Sequence, residues 1–133
     1  MSEQQSTIYV VENDEETRNA TELLLSVSGF RTSCFDSAES LLDSPASLNQ
    51  LSTVGPACVL ADLRLPGLNG LQLFQRLRHV GITVPVILIS GHADDETIAQ
   101  ATDAGVNEFL LKPVRPDDLI ATLQAATQND AAP

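Results

Sequence analysis

Apolar residues along the chain follow two alternating patterns, which predict strands and helices in turn. Continuous apolar runs rich in β-branched residues are typical of strands buried on both faces, and they occur at Ile8–Val11, Ala57–Ala61 and Val86–Ile89. The run Phe109–Leu111 predicts a further strand, and the more polar segment Arg31–Phe35 predicts a strand at an edge of the sheet. Apolar strands that alternate with helices indicate an α/β domain with a parallel sheet covered on both faces.

Helical spacing occurs in the segments between these strands. The stripes predicted to face the sheet are Ala20, Leu23, Leu24 and Val27; Leu73, Phe74 and Leu77; Ile98, Ala101 and Ala104; and Leu119, Ile120, Leu123 and Ala126. Gly29 is placed to end the first helix, and Gly105 to end the helix that opens with Asp94, Asp95 and Glu96. A short helix is predicted over Ser37–Asp43, and Pro45 is expected to leave a turn or loop after it.

The length and the cysteine content indicate a single intracellular domain. The chain has 133 residues, of which we expect 1–6 to be a disordered start, 7–127 the domain, and 128–133 a tail or the start of a linker. The sequence has no signal-peptide pattern and no apolar run of about 18 residues, the length of a membrane span. Cys34 and Cys58 are too few for a disulfide scaffold. These features predict a soluble, cytoplasmic protein.

The charge of the chain excludes some binding partners. Acidic side chains outnumber basic ones by 18 to 7, which gives a formal net charge of −11. Because neutralising DNA phosphates requires a basic surface, direct nucleic-acid binding by this domain is not expected. The same excess of negative charge disfavours binding to an anionic membrane.

Polar residues follow each of the central apolar runs at the point where the run ends. Glu12–Asp14, Asp62, Ser90 and Lys112 each follow a different predicted strand. Because the carboxyl ends of parallel strands lie at one edge of the sheet, we expect these residues to share a crevice. Carboxylates there are natural ligands for Mg²⁺, and a metal ion, a hydroxyl and an ammonium together suit a phosphoryl group. Asp62 is then placed to be the nucleophile that forms an acyl phosphate.

These residues lie within four motifs of a known family. The motifs are Val11–Asp14, Ala61–Gly70, Ile89–His92 and Phe109–Pro113. With these motifs in this order, the chain resembles a bacterial response-regulator receiver domain over residues 7–126. The resemblance implies a doubly wound, flavodoxin-like sheet of five parallel strands in the order 2-1-3-4-5. It also implies phosphorylation of Asp62 by a partner histidine kinase, with Mg²⁺ as the cofactor.

Roles for single residues follow from the same resemblance. Asp62 is the expected phospho-acceptor, Ser90 the switch hydroxyl, Lys112 the phosphoryl-binding residue and Phe109 the aromatic switch residue. The backbone carbonyl of Arg64 is an expected metal ligand. The side chains of Arg64 and His92 occupy positions that tune the lifetime of the phosphate in this family, and the Lys112–Pro113 peptide bond is expected to be cis.

The expected output surface lies at the second half of the chain. It consists of the fourth helix, the fifth strand and the fifth helix, and the small side chains of the fourth helix suggest that this helix can shift. A homodimer through this face, an effector domain or a downstream protein are the partners that the resemblance implies. The chain is either a stand-alone receiver or part of a longer regulator whose effector domain follows Pro133.

One departure from the family concerns the metal ligands. Receivers usually carry two adjacent aspartates after the first strand, whereas this chain has Glu12 and Asn13. An amide oxygen can bind Mg²⁺ but adds no charge, so the metal affinity should fall unless Glu12 or Asp14 compensates. The expected metal site therefore comprises Glu12, Asn13, Asp62, the Arg64 carbonyl and, as a further candidate, Asp14. The alternative is an atypical receiver that acts as a protein-interaction module without phosphorylation.

Other functions remain open at this stage. An aspartate-nucleophile phosphatase or dehalogenase would need a second carboxylate two residues after Asp62, where the chain has Arg64. A flavin carrier would need a phosphate-binding loop after the first strand, where the chain is acidic. Several of these residues also have an ordinary structural explanation: Glu12 and Asp14 as charges at the start of a helix, Asp62 and Ser90 as turn formers, Lys112 as a surface lysine, Phe109 as a core residue, and His79 and His92 as surface histidines.

Overall fold

Parallel strands form one sheet in the computed structural model, which describes residues 6–53, 56–91 and 95–128. The strands are β1 (Thr7–Val11), β2 (Arg31–Phe35), β3 (Ala57–Asp62), β4 (Val86–Ser90) and β5 (Glu108–Leu111). The helices are α1 (Glu15–Val27), α2 (Ala38–Leu42), α3 (Pro45–Thr53), α4 (Gly70–His79), α5 (Asp95–Ala104) and α6 (Pro116–Gln128). Most of the expected disordered start and tail, together with His92 and Asp94, lies outside the described residues.

The sheet has the spatial order β2-β1-β3-β4-β5, and every neighbouring pair is parallel. This order confirms the predicted doubly wound fold, with β2 at one edge. The chain moves to one side of β1 to form β2 and to the other side to form β3. A crevice therefore opens at the carboxyl ends of β1 and β3, where such folds bind their ligands.

Two apolar layers cover the sheet. The layer beneath α2, α3, α4 and α5 includes Tyr9, Val11, Val59, Leu73, Phe74, Leu77, Leu88 and Ala101. The layer beneath α1 and α6 includes Ile8, Val10, Leu25, Leu60, Ile87, Leu119 and Leu123. Alternate residues of each central strand enter opposite layers, which explains why these strands are apolar throughout.

The predicted buried face of α1 is wrong. Leu23 and Val27 are 65% and 74% exposed and Ala20 is also exposed, whereas Leu25 is fully buried. Of the predicted stripe, Leu24 alone is partly buried and packs against the layer that contains Leu25. Three consecutive leucines allow either of two stripes on this helix, and helical spacing alone does not choose between them.

The segment after Pro45 is also different from the prediction. It forms the helix α3 and not a turn or loop, because Pro45 is its first residue, where the missing N–H breaks no hydrogen bond. The Ser44 hydroxyl accepts a hydrogen bond from the Ser47 backbone N–H at 3.3 Å, which supports the start of this helix. The preceding short helix is confirmed, with Ser37 as its N-cap.

The remaining elements agree with the sequence prediction. The buried stripe of α4 is the predicted one, and so are the inward positions of Ala101, Leu119 and Leu123. Cys34 and Cys58 are both free. Among the residues described, no helix is long and apolar enough to cross a membrane.

Candidate functional site

The residues that follow the central strands meet at one edge of the sheet. Asp62 ends β3 and Ser90 ends β4, and Asp62 is paired with the residue before Ser90 in the parallel register. The backbone N–H of Lys112 donates a hydrogen bond to the Ser90 carbonyl at 2.8 Å, so Lys112 lies beside β4 as well. Glu12 directly follows β1, the other neighbour of β3. The topology therefore brings Glu12, Asp62, Ser90 and Lys112 to one rim.

A lysine ammonium joins the two acidic side chains of this rim. Lys112 Nζ lies 2.8 Å from Asp62 Oδ2 and 3.9 Å from Glu12 Oε1. Both carboxylates are about 90% buried, whereas 39% of the Lys112 side chain is exposed. Burial alone would lower the pKa of Lys112, but the hydrogen bond to Asp62 and the charges of Asp62 and Glu12 outweigh it and raise the pKa. The ammonium is therefore charged at neutral pH and open to solvent on one side.

Glu12 is fixed by its own backbone neighbourhood. Its Oε2 accepts a hydrogen bond from the Asp14 N–H at 3.0 Å, and its carbonyl accepts one from Arg18 Nη1 at 2.9 Å. Burial raises the pKa of Glu12, and the nearby charge of Asp62 raises it further. Two carboxylates thus lie close together around a single ammonium, a site that favours an additional cation.

Asp62 has a defined partner for each of its oxygens. Oδ2 accepts the hydrogen bond from Lys112, and Oδ1 accepts one from the Arg64 backbone N–H at 3.0 Å. The Arg64 side chain is exposed. The same short turn therefore carries the peptide group of Arg64 close to the Asp62 carboxylate.

Neither of the two residues after Glu12 places a carboxylate beside Glu12 and Asp62. Asn13 is exposed, and Asp14 caps α1: its Oδ2 accepts hydrogen bonds from Thr17 N at 2.9 Å and from Thr17 Oγ1 at 2.6 Å. These bonds lower the pKa of Asp14. In the described part of the chain, no group of three or more acidic, histidine or cysteine side chains is arranged to hold a metal ion, so Asp14 does not join Glu12 and Asp62.

The donor set nevertheless fits magnesium. Glu12 and Asp62 supply two carboxylates at the rim, and Mg²⁺ commonly keeps several water ligands beside one or two carboxylates. The residues that would hold it are Glu12, Asp62, the Arg64 carbonyl and Asn13.

Ser90 and Phe109 lie on the α4–α5 side of the sheet. Leu88 belongs to the layer beneath α4 and α5, and the alternation of β4 gives Ser90 the same side. Ser90 is completely buried. Phe109, two residues before Leu111 on β5, is half-buried and packs against the same layer. Asp62, by contrast, shares its side with Leu60, beneath α1 and α6. The candidate site thus touches both layers.

A cavity of about 570 Å³ opens beside the acidic residues. Glu12, Asp62 and Lys112 line it, and the rest of the lining is mostly apolar and comes from the central strands, α1, α6 and the loop before α6. The Lys112–Pro113 peptide bond at its border is cis, as the resemblance implies. Because Asp62 lines this cavity, its side chain is reachable from outside the domain.

Two contributors to this site were not expected from the sequence. Arg18 holds the Glu12 backbone, and no spacing signal connects a helix arginine to a strand end six residues earlier. Gly70 starts α4, and a Cβ there would lie 2.7 Å from the Asp62 carbonyl oxygen. An Asn–Gly pair usually indicates a turn, whereas the glycine here permits a close approach of two backbone segments.

Comparison with known proteins agrees with this geometry. The model of the response regulator receiver domain matches residues 8–124. The chain belongs to the response regulator receiver domain family. It is 34% identical over 126 residues to the response regulator protein TmoT of Ectopseudomonas mendocina, covering 95% of this chain and 54% of that protein. It is 33% identical to the transcriptional regulatory protein FixJ of Bradyrhizobium diazoefficiens, covering 90% of this chain and 55% of that protein.

A solved structure supports the same assignment. The response regulator StyR superposes with a TM-score of 0.83 and 28% identity, covering 96% of this chain and 62% of that one. The receiver domain therefore spans about half the length of the curated relatives it matches. Receiver domains act in two-component systems with histidine kinases and effector domains, and they generally bind Mg²⁺ at an acidic pocket.

Proposed function

We propose that this receiver accepts a phosphoryl group on Asp62 from the phosphohistidine of a partner kinase. The observation that supports this most is the arrangement of the Asp62 carboxylate, which is buried, paired with Lys112 and open to a cavity. An Asp62 oxygen attacks the phosphorus atom, the P–N bond to the imidazole breaks, and the released imidazole nitrogen takes up a proton from solvent. The product is an acyl phosphate on Asp62 and a free histidine.

The neighbouring residues of Asp62 have distinct tasks in this proposal. Lys112 is already hydrogen-bonded to the carboxylate and exposed on one side, so it can follow the negative charge from Asp62 onto a phosphoryl oxygen. The Arg64 N–H orients the carboxylate through Oδ1. Bound Mg²⁺ would neutralise phosphoryl oxygens, and Glu12, Asp62, Asn13 and the Arg64 carbonyl are the residues that would hold it.

The signal leaves through the α4–α5 side of the sheet in this proposal. Ser90 lies on that side, and its hydroxyl would donate a hydrogen bond to the phosphoryl group. Phe109 packs on the same side and would move with the α5–β5–α6 face, which corresponds to the output surface expected from the sequence. The side chains that α5 buries are small, so a shift of this helix breaks few apolar contacts. Output through a homodimer, an effector domain or a separate protein is compatible with this face.

A second candidate function is a receiver that works without phosphorylation. The observation that favours it is the neutral Asn13 together with the use of Asp14 as a helix cap, which leaves the rim with two carboxylates. An aspartate-nucleophile phosphatase has less support, because Arg64 stands where such an enzyme needs a carboxylate. The proposed chemistry is thus limited to self-catalysed phosphoryl acceptance and hydrolysis at Asp62.

Intact mass spectrometry separates these functions. The protein is incubated with Mg²⁺ and a small phosphodonor such as acetyl phosphate, with Asp62→Asn as the matched control. A gain of about 80 Da that is absent from the Asp62→Asn variant supports the proposal. No gain at any Mg²⁺ concentration would favour the receiver that acts without phosphorylation.

A further inference from the structure

A carboxylate of α2 holds the loop that follows Asp62. This β3–α4 loop comprises residues 63–69. Glu39 lies in the first turn of α2, and its Oε2 accepts a hydrogen bond from the Leu68 backbone N–H at 2.8 Å. The bond lowers the pKa of Glu39, so the carboxylate is charged at neutral pH. A side chain 29 residues away in sequence is therefore attached to the far end of this loop.

Gly67 makes room for this contact. Its φ is +74°, a backbone conformation that residues other than glycine rarely adopt. A Cβ at this position would overlap Glu39 Oε2. Any larger residue would push the carboxylate away from Leu68. The contact between the Glu39 carboxylate and the loop thus depends on a glycine at residue 67.

The near end of the loop is attached to the candidate site itself. Leu63 and Leu65 bury their side chains in the core, and between them the Arg64 N–H donates to Asp62 Oδ1 at 3.0 Å. The loop therefore spans from the hydrogen bond on Asp62 to the hydrogen bond on Glu39.

We propose that Glu39 is a positioning residue that fixes the β3–α4 loop and, through it, the Arg64 peptide groups beside Asp62. This inference rests on the proposed phosphorylation of Asp62 for its functional consequence. Glu39 lies outside the phosphoryl pocket and makes no contact with Asp62 in the described hydrogen bonds and ion pairs. Its effect reaches the acceptor only through the loop.

Three single variants test the role of Glu39. Glu39→Ala removes the acceptor, Glu39→Gln keeps an oxygen that can accept from Leu68, and Asp43→Ala removes a similar charge from the exposed end of the same helix. For each variant, we would measure the phosphorylation rate with a small phosphodonor, the Mg²⁺ concentration at half-maximal rate, the Leu68 amide chemical shift and the urea midpoint.

The expected result is a loss specific to Glu39→Ala. Its phosphorylation rate at a fixed, subsaturating Mg²⁺ concentration should fall about tenfold, the lower end of what loss of a supporting contact costs at such sites. The Leu68 amide proton should move upfield because its carboxylate acceptor is gone. Glu39→Gln should retain most of the rate, and Asp43→Ala should match the wild type. A role in stability alone would move the urea midpoint and leave the rate and the Mg²⁺ requirement unchanged, and that result would overturn the proposal.

A double-mutant cycle with Gly67→Ala provides a second test. Gly67→Ala is expected to slow phosphorylation partly by displacing Glu39, so it should cost less in the Glu39→Ala background than in the wild type. Equal costs in both backgrounds would contradict a functional contact between these residues. If the wild type is not phosphorylated at all, the proposed function fails. The Leu68 amide chemical shift then tests separately whether Glu39 fixes the loop. An upfield shift in Glu39→Ala supports this role, and an unchanged shift overturns it.

Discussion

The Lys112 ammonium lies 2.8 Å from Asp62 Oδ2, while the Arg64 backbone N–H donates a hydrogen bond to Oδ1, the other oxygen of the same carboxylate. The Asp62 carboxylate is therefore held by one partly exposed side chain and one backbone group. Lysine can leave the carboxylate without disturbing its orientation, because the second hydrogen bond remains. This division suits a group that must change its charge distribution during a reaction.

Removal of Lys112 should slow phosphorylation of Asp62. In Lys112→Ala, no ammonium neutralises the incoming phosphoryl oxygens, and we expect a rate about a hundredfold lower, in the range found when a positioned charge is removed from a reacting centre. The rate is measured by intact mass with a small phosphodonor. Arg115→Ala, which removes an exposed cation nearby, is the control and should keep the wild-type rate. An unimpaired Lys112→Ala would show that Lys112 has no part in the transfer.

An aspartate at residue 13, where receivers usually carry one, should increase the affinity for Mg²⁺. Asn13→Asp adds one negative charge at the rim, and we expect the Mg²⁺ concentration needed for half-maximal phosphorylation to fall about tenfold, since affinity for a hard cation follows the charge of its ligands. Asn19→Asp adds the same charge further along α1 and controls for net charge. Equal Mg²⁺ requirements in the wild type and Asn13→Asp would mean that residue 13 does not contact the metal.

The buried face of α1 can be tested by two substitutions of the same residue type. Leu25→Ala should lower the free energy of unfolding by about 2–5 kcal/mol, because Leu25 is fully buried. Leu23→Ala should change it by less than about 0.5 kcal/mol, because Leu23 is 65% exposed. Urea unfolding followed by circular dichroism measures both. A larger loss of unfolding free energy in Leu23→Ala than in Leu25→Ala would instead support the buried face that the sequence predicted.

The buried hydroxyl of Tyr9 should make the free energy of unfolding depend on pH in the alkaline range. Its hydroxyl donates a hydrogen bond to Gln50 Oε1 at 2.8 Å, and burial raises its pKa. Because the folded-state pKa lies above the unfolded value of about 10, this contribution to stability is complete below pH 10 and is lost as the pH rises through the folded-state pKa. Tyr9→Phe should cost about 1 kcal/mol at pH 7, the usual value of one hydrogen bond, and the difference from the wild type should narrow in alkali.

The ionisation of Tyr9 can be followed directly. The chain has a single tyrosine and no tryptophan, so absorbance at about 295 nm reports this residue alone. We expect a midpoint above 10 while the circular dichroism of the folded state persists. A midpoint of an ordinary exposed tyrosine in the folded protein would contradict the burial.

The sequence predicted the strands and the rim better than it predicted the helical surfaces. A chemically distinctive residue ends or follows each of β1, β3, β4 and β5, and parallel topology alone brings Asp62 and Lys112 together. By contrast, the leucine run at Leu23–Leu25 permits two buried faces, and the choice between them is made by the packing of α1 on the sheet. The contact between Glu39 and Leu68 could not be predicted, because a hydrogen bond to a backbone N–H leaves no pattern in the side chains.

The two sides of the sheet carry different parts of this site, with Asp62 facing the α1–α6 layer and Ser90 the α4–α5 layer. A substitution in one layer therefore need not repack the other, because each side chain of a strand enters only one layer. The residues beneath α1 and α6 can thus diverge independently of the residues beneath α2, α3, α4 and α5. The residues at the rim are the ones that must remain compatible with both.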